Sequence, residues 1–270
     1  MDQAELISVA REATEAGAEV AMSWQNRPEE HQVREKAGPR DLVSLADVET
    51  ERAIRAVLSR RRPGDGVLGE EDGHTNGQTG VSWVIDPIDG TTSYLYGRHD
   101  WAISVAAVRD DNRILGGVVA EPAQRRLTHA ARGNGTWAAG RRTRVRDATE
   151  LSQALVEVNF GTVEQQDLAG AMVEHLLPHV RDLRRGGSAA SALAHVATGR
   201  ADAVWSPGLQ PWDGSAGLLL VQEAGGYVGD LDGLCDGVWP QSGDILAAPP
   251  ALWEPLRALL AEVYSGASRA

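Results

Sequence analysis

The chain has 270 residues, 42% of them hydrophobic, enough to bury a full core as one large domain or two closely packed ones. Its 26 basic and 38 acidic side chains leave a net charge of −12, which argues against a nucleic-acid backbone as partner. The lone Cys235 excludes an internal disulfide, no apolar run reaches the ~20 residues of a membrane span, and the acidic start Met1 to Leu6 lacks a secretory leader, so a cytoplasmic protein with no membrane partner is expected.

Residues 3 to 24 carry aliphatic side chains at helical spacing with glutamates between them, and predict an amphipathic helix. Residues 25 to 41 lose that period around Pro28, Gly38 and Pro39 and read as a loop or irregular hairpin. Asp47 opens a second helical pattern that ends before Pro63-Gly64; alone, it reads as a carboxylate next to a helix dipole. Val67-Leu68 predicts a short strand leading into the acidic turn Gly69-Glu70-Glu71.

Trp83 to Ile85 is an apolar run fit for a buried strand, and Pro87 is expected to stop it with Asp86 at its mouth. Asp86 and Asp89 then stand three residues apart across a tight turn, with Gly90 free to take the backbone angle that turn needs. Thr91 and Thr92 sit at a predicted helix start, whose free N–H groups attract an anion. Hard carboxylates beside a phosphate seat suit Mg²⁺, which usually binds through one or two carboxylates plus substrate phosphate. Bound cations would also reconcile the acidic chain with an anionic substrate. Asp-Gly is equally a hairpin signal, but a third carboxylate, Asp213 in Trp212-Asp213-Gly214, stands at a further predicted helix start.

Strands are predicted at 102–108, 116–120 and 127–131, an antiparallel meander with a hairpin tip at Gly133-Asn134-Gly135. A composition shift at Arg146 to Leu151 divides the chain into an N-terminal half, 1–147, and a C-terminal half, 148–270, forming one unit. The second half reads as strands at 154–158, 180–183 and 201–205 and helices at 168–179, from Ala190 to Gly199, at 213–224 and at 252–264. His175 and His179 lie four apart, but Pro178 between them and the lack of a third ligand favour a packed or surface role over zinc. Gly186-Gly187-Ser188-Ala189-Ala190 misses the final glycine of a hydrolase nucleophile elbow.

Asp86-Pro87-Ile88-Asp89-Gly90-Thr91-Thr92, preceded by Gly69-Glu70-Glu71 and followed by Trp212-Asp213 and Glu223-Ala224-Gly225-Gly226, resembles the signature of the inositol monophosphatase family along nearly the whole chain. The resemblance implies an α+β fold, the layered α/β/α/β/α sandwich of the inositol monophosphatase and fructose-1,6-bisphosphatase type, commonly a homodimer. It implies a Mg²⁺-dependent, lithium-sensitive phosphomonoesterase with two to three ions per site and Mn²⁺ as a substitute. Glu70, Asp86 and the Ile88 carbonyl would hold one ion, Asp86, Asp89 and Asp213 a second, with a weaker ion near Glu70. Thr91 paired with Asp47 would orient the attacking water, and Gly90, Thr91 and Thr92 would seat the phosphate. Gly187-Ser188-Ala189 would meet the substrate, as would Asp89, Asp213 and position 206.

Three departures bear on substrate. Ser93 replaces the usual asparagine, Gly214-Ser215 an apolar residue and alanine, and Ser206 a glutamate with which inositol-specific members grip hydroxyls. The run from Arg181 to Ser188 still resembles bacterial inositol monophosphatases, and the run from Arg62 to Glu71 histidinol phosphatases. Inositol 1-phosphate is therefore the first expected substrate and histidinol phosphate the second. Some members instead act as binding partners in transcription complexes.

Overall fold

The computed structural model describes residues 2–27, 29, 32–38, 41–160 and 163–267. Pro28 and Pro39, two of the expected breakers, lie outside them. Helix α1 (Gln3–Gln25) forms where the periodicity predicts it, its start capped by Asp2, whose carboxylate accepts from the Ala4 N–H at 2.9 Å. A hairpin of β1 (Arg34–Gly38) and β2 (Asp41–Val43) leads to α2 (Leu45–Arg61). Ser44 and Asp47 cap α2 reciprocally: the Ser44 hydroxyl accepts from the Ala46 N–H, and Asp47 accepts from the Ser44 N–H.

An eight-stranded sheet follows, built from β3 (Gly66–Gly69), β4 (Gly73–Thr75), β5 (Val81–Asp89), β6 (Ala102–Arg109), β7 (Ile114–Glu121), β8 (Arg126–Ala131), β9 (Thr136–Ala138) and β10 (Arg141–Thr143). Its order is β10-β9-β8-β7-β6-β5-β3-β4, antiparallel except for the parallel β3–β5 pair. The single turn α3 (Thr91–Leu95) joins β5 to β6. The expected meander is present, and its Gly133–Gly135 tip is held by Glu223, which accepts from both glycine N–H groups at 2.7 and 2.8 Å.

The second sheet contains β11 (Leu155–Val158), β12 (Asp182–Arg184), β13 (Ala203–Ser206), β14 (Tyr227–Gly229) and β15 (Ile245–Ala248), ordered β12-β11-β13-β15-β14. Strands β12, β11 and β13 run parallel, and β13, β15 and β14 antiparallel. Between them the chain forms α4 (Val163–Leu176), α5 (Ala189–Ala197) and α6 (Pro211–Glu223), and it closes with α7 (Pro250–Ala267).

Three apolar cores hold five layers together, the central one spanning both sides of its helices. α1 and α2 cover one face of the large sheet through Leu6, Ile54, Trp83 and Ile103. α5 and α6 fill the space between the two sheets with alanine and leucine, all but completely buried. α4 and α7 cover the outer face of the small sheet through Met172, Trp205 and Leu256. The result is an α+β layered sandwich in the order α/β/α/β/α, the arrangement that the resemblance implies.

One expectation fails. β5 does not stop before Pro87 but runs on to Asp89, with its register against β6 shifted between Asp86 and Asp89. Proline removes one ladder hydrogen bond, and a bulge accommodates that loss inside the strand. The bulge presents both aspartates from one continuous element.

Candidate active site

The sequence between residues 86 and 92 folds locally for three reasons. The Asp86 carboxylate accepts from the Ile88 N–H at 3.0 Å, closing a side-chain turn over Pro87. Gly90 sits at φ 93, and a Cβ there would approach the Gly187 carbonyl oxygen to 2.7 Å. Tyr94, on the turn that follows, is fully buried, donates to the Ala21 carbonyl at 2.7 Å and packs edge-on against Trp101. Thr91 and Thr92, the first residues of α3, whose N–H groups have no partner within the helix, thus line the cavity from a firmly anchored turn.

That cavity, about 810 Å³, is lined by Glu70, Asp86, Ile88, Asp89 and Asp213 together with Gly90, Thr91 and Thr92. Gly187 and Ala189 line it from the start of α5. Asp47 lies behind this wall at 1% exposure. One of its oxygens accepts from the Ser44 N–H at 2.8 Å and the Ser44 hydroxyl at 2.6 Å, and the other faces the Thr91 hydroxyl at 3.3 Å. Thr91 Oγ1 is also 3.3 Å from the Ile88 carbonyl oxygen, so its one proton is directed toward the protein and its lone pairs remain for a bound water.

Two expected substrate contacts lie behind the wall instead. Ser188, at 1% exposure, donates to Asp89 Oδ2 at 2.6 Å and accepts from the Ser191 N–H, which makes it the cap of α5. Ser206 is fully buried and accepts from Asn159 Nδ2 at 3.1 Å. Because β11 and β13 are neighbours, Asn159 follows the end of β11 beside Ser206, and it is Asn159 that reaches the cavity.

Other residues were not legible as site residues. Glu51 on α2, fully buried, accepts from the Glu71 and Asp72 N–H groups at 2.8 and 3.0 Å and fixes the turn that carries Glu70. Arg98 and Arg185 line the cavity too. Arg98 is paired with Asp100, 2.8 Å apart, and Ser93, the replaced asparagine, donates to that same aspartate at 3.2 Å. Glu51 leaves no mark in the spacing because its partners lie 20 and 21 residues away.

The carboxylates carry the electrostatic signature of the site. Burial, then the charges of Glu70, Asp89, Asp213 and Asp47, push Asp86 well above the usual carboxylate range. Burial raises Asp89 to about 7, against the hydrogen bonds from Ser188 and Ala190. Asp213 is raised by burial and then by Asp89, while its own oxygen accepts the Gln210 N–H at 2.8 Å as the cap of α6. Among the described residues, no group of three or more His, Cys, Asp or Glu side chains converges tightly enough to enclose an ion. The carboxylates line one cavity, with Asp86 and Asp213 in hydrogen-bond contact. Such an open, all-oxygen donor set fits Mg²⁺, which keeps several waters and completes its shell with substrate phosphate. It fits a closed structural zinc site poorly.

The start of α5 is packed against this turn without slack. A Cβ on Gly187 would collide with Ser93 Oγ and approach the Asp100 carbonyl oxygen to 2.8 Å. Gly187→Ala is therefore expected to cost about 1–3 kcal/mol of stability by overpacking and to depress turnover by parting α5 from the Asp89–Thr91 turn. Thermal melts and initial rates on the same preparation check this, and a wild-type melt would refute it.

The model of the inositol monophosphatase family matches residues 2–266. The chain is 43% identical over 199 residues to the inositol-1-monophosphatase of Rhizobium meliloti, covering 73% of this chain and 74% of that protein. It is 38% identical over 213 residues to the Nus factor SuhB of Xylella fastidiosa, covering 77% of each. Its fold matches the crystal structure of the extragenic suppressor protein suhB from Bartonella henselae with a TM-score of 0.89 at 32% identity, over 94% of this chain and 98% of that one. The five-layered fold and the acidic cavity accompany the family match over nearly the whole chain. The chain belongs to the inositol monophosphatase family.

Proposed function

We propose that this protein is a Mg²⁺-dependent phosphomonoesterase of small polyol or alcohol phosphates, with inositol 1-phosphate first and histidinol phosphate second. The observation that carries the reading is one cavity holding Glu70, Asp86, Asp89 and Asp213 beside the hydrogen-bonded Thr91–Asp47 pair. Glu70, Asp86, the Ile88 carbonyl, Asp89 and Asp213 would hold the ions. Bound there, Mg²⁺ supplies a water of lowered pKa and neutralises charge on the phosphoryl and leaving oxygens.

The remaining work falls to the chain itself. Thr91 accepts a hydrogen bond from the incoming water through its lone pairs, while its own proton points to Asp47, which holds Thr91 in that rotamer. Gly90, Thr91 and Thr92 donate N–H groups to the phosphate. Gly187 and Ala189 shape the opposite wall, and Asn159, backed by Ser206, meets the leaving group. Asn159 is uncharged and held in place by Ser206, so discrimination among polyols is expected to be weaker than a glutamate at position 206 would give. We take the protein to be a cytoplasmic, lithium-sensitive homodimer whose halves 1–147 and 148–270 act as one unit.

Phosphate release measured in Mg²⁺ over inositol 1-phosphate, histidinol phosphate, fructose 1,6-bisphosphate and adenosine 3′,5′-bisphosphate tests the reading. The highest kcat/KM is expected for inositol 1-phosphate; no release from any ester would refute it. Relatives named Nus factor SuhB favour a second reading, a binding partner in a transcription complex. A variant that loses partner binding while keeping turnover would support that role.

A further inference from the structure

Glu121 ends β7 in the large sheet, Glu157 lies in β11 of the small sheet, and His195 on α5 stands between them. Its Nδ1 is 2.8 Å from Glu157 Oε1 and its Nε2 is 2.9 Å from Glu121 Oε1. A neutral imidazole donates from one nitrogen only, so a ring with a carboxylate oxygen at each end satisfies both as imidazolium. Burial opposes that charge, but the two glutamates outweigh it and raise His195 to about 9. Glu121 is itself 1% exposed. It also accepts from Ser191 Oγ at 3.0 Å and Gln124 Nε2 at 3.1 Å, with the Arg200 and Arg126 guanidinium groups farther off at 3.8 and 3.9 Å.

From Glu121 an unbroken run of hydrogen bonds leads to the acidic cavity. Ser191 donates its hydroxyl to Glu121 and its N–H to Ser188 Oγ at 2.9 Å. Ser188 donates to Asp89 Oδ2 at 2.6 Å, and the Ala190 N–H donates to the same oxygen at 2.6 Å. All these donors belong to α5 or its cap. With no room for even a methyl group between Gly187 and the Ser93–Asp100 segment, a shift of α5 along its axis is transmitted directly to the Asp89 carboxylate.

We propose that His195, clamped between Glu121 and Glu157, is a positioning residue that sets the placement of α5 and thereby orients the Asp89 carboxylate toward Mg²⁺. The proposal rests on the phosphomonoesterase reading in taking Asp89 as a ligand. Groups that orient metal ligands typically change metal affinity or activity by 10–100-fold when lost. His195 acts through two intervening serines, so about a three- to tenfold effect is expected.

The test is calorimetric titration of the chelator-stripped, full-length protein with MgCl₂ at neutral pH, for wild type, His195→Gln and His195→Gln/Glu157→Gln, with thermal melts on the same samples. Mg²⁺ affinity is expected to fall about three- to tenfold in both variants. The double variant, which gives up a carboxylate along with the cation, is expected to regain most of the melting temperature that the single one loses. Unchanged Mg²⁺ affinity in a variant with a lowered melting temperature would make the bridge purely structural and overturn the proposal. A wild-type protein that binds no Mg²⁺ would instead overturn the phosphomonoesterase reading and the positioning role with it. If neither variant folds, wild type decides. Its His195 ring, followed by NMR, is expected to titrate near 9 with Mg²⁺ affinity weakening over the same interval. A ring titrating near 6.5, or an affinity flat through that interval, would overturn the proposal.

Discussion

Asp86→Asn is expected to abolish phosphate release while leaving the metal-free protein at least as stable as wild type. Asp86 is 1% exposed and crowded by Glu70, Asp89, Asp213 and Asp47, so its ionised form is disfavoured in the fold. An acid whose pKa rises on folding binds protons more tightly in the native state, and stability then falls as pH rises from the unfolded value toward the folded one. For Asp89 that window runs from 3.8 to about 7. Near neutral pH the metal-free wild type bears this cost, and the amide of Asp86→Asn removes its share while keeping the shape. Mg²⁺ reverses the comparison. At a hundredfold excess over Kd, binding adds about 2.7 kcal/mol to wild type, a rise of roughly 5 °C or more in Tm, which the amide variant is expected to lack. Melts with and without Mg²⁺ check both halves. A Mg²⁺-induced shift in Asp86→Asn equal to that of wild type would remove Asp86 from the metal site.

Thr91→Ala is expected to lower kcat on the order of 10²-fold, the loss that misplacing a reacting group brings, with KM changed only a fewfold. The Thr91 hydroxyl is held by Asp47 and the Ile88 carbonyl, and Asp47 is in turn locked by Ser44. Losing it leaves the phosphate seat intact but frees the water, and positioning of that kind is felt in the transition state. Thr91→Ser, which keeps the hydroxyl, is expected to recover most of the rate, whereas Thr91→Val is not. Steady-state kinetics on the three variants decide this. A loss confined to KM would make Thr91 a substrate contact.

Much of this architecture was legible in the sequence because its signals are local. The 3.6-residue period of residues 3 to 24, the helix-start carboxylate Asp47 and the glycine tip at 133–135 each specify their element within a few neighbours. The acidic motif was legible for the same reason, as a strand end and two helix starts place Asp86, Asp89 and Asp213. Pro87 misled because a proline is read as a stop, whereas here a bulge carries it inside β5. Four of the three-residue strands, β4, β9, β10 and β14, carry too few side chains to show a period and exist through their sheet neighbours.

The groups around the site escaped for a different reason. Glu51 caps N–H groups 20 and 21 residues away, and Asn159 meets Ser206 47 residues away, so neither leaves a pattern within a reading window. Ser206 stands where inositol-specific family members carry a substrate-gripping glutamate, and a residue's place in the chain does not show which way its side chain is engaged. The Ser206 hydroxyl is engaged by Asn159, which stands between it and the cavity.

The central claim is that the carboxylates lining the cavity work only with Mg²⁺ bound, and one measurement tests it most directly. Protein stripped with EDTA and dialysed free of chelator is assayed for phosphate release from inositol 1-phosphate before and after stepwise return of MgCl₂. The account predicts no release above background at the start and a saturable recovery to the full rate. Full activity in the stripped protein, unchanged when Mg²⁺ returns, would contradict it.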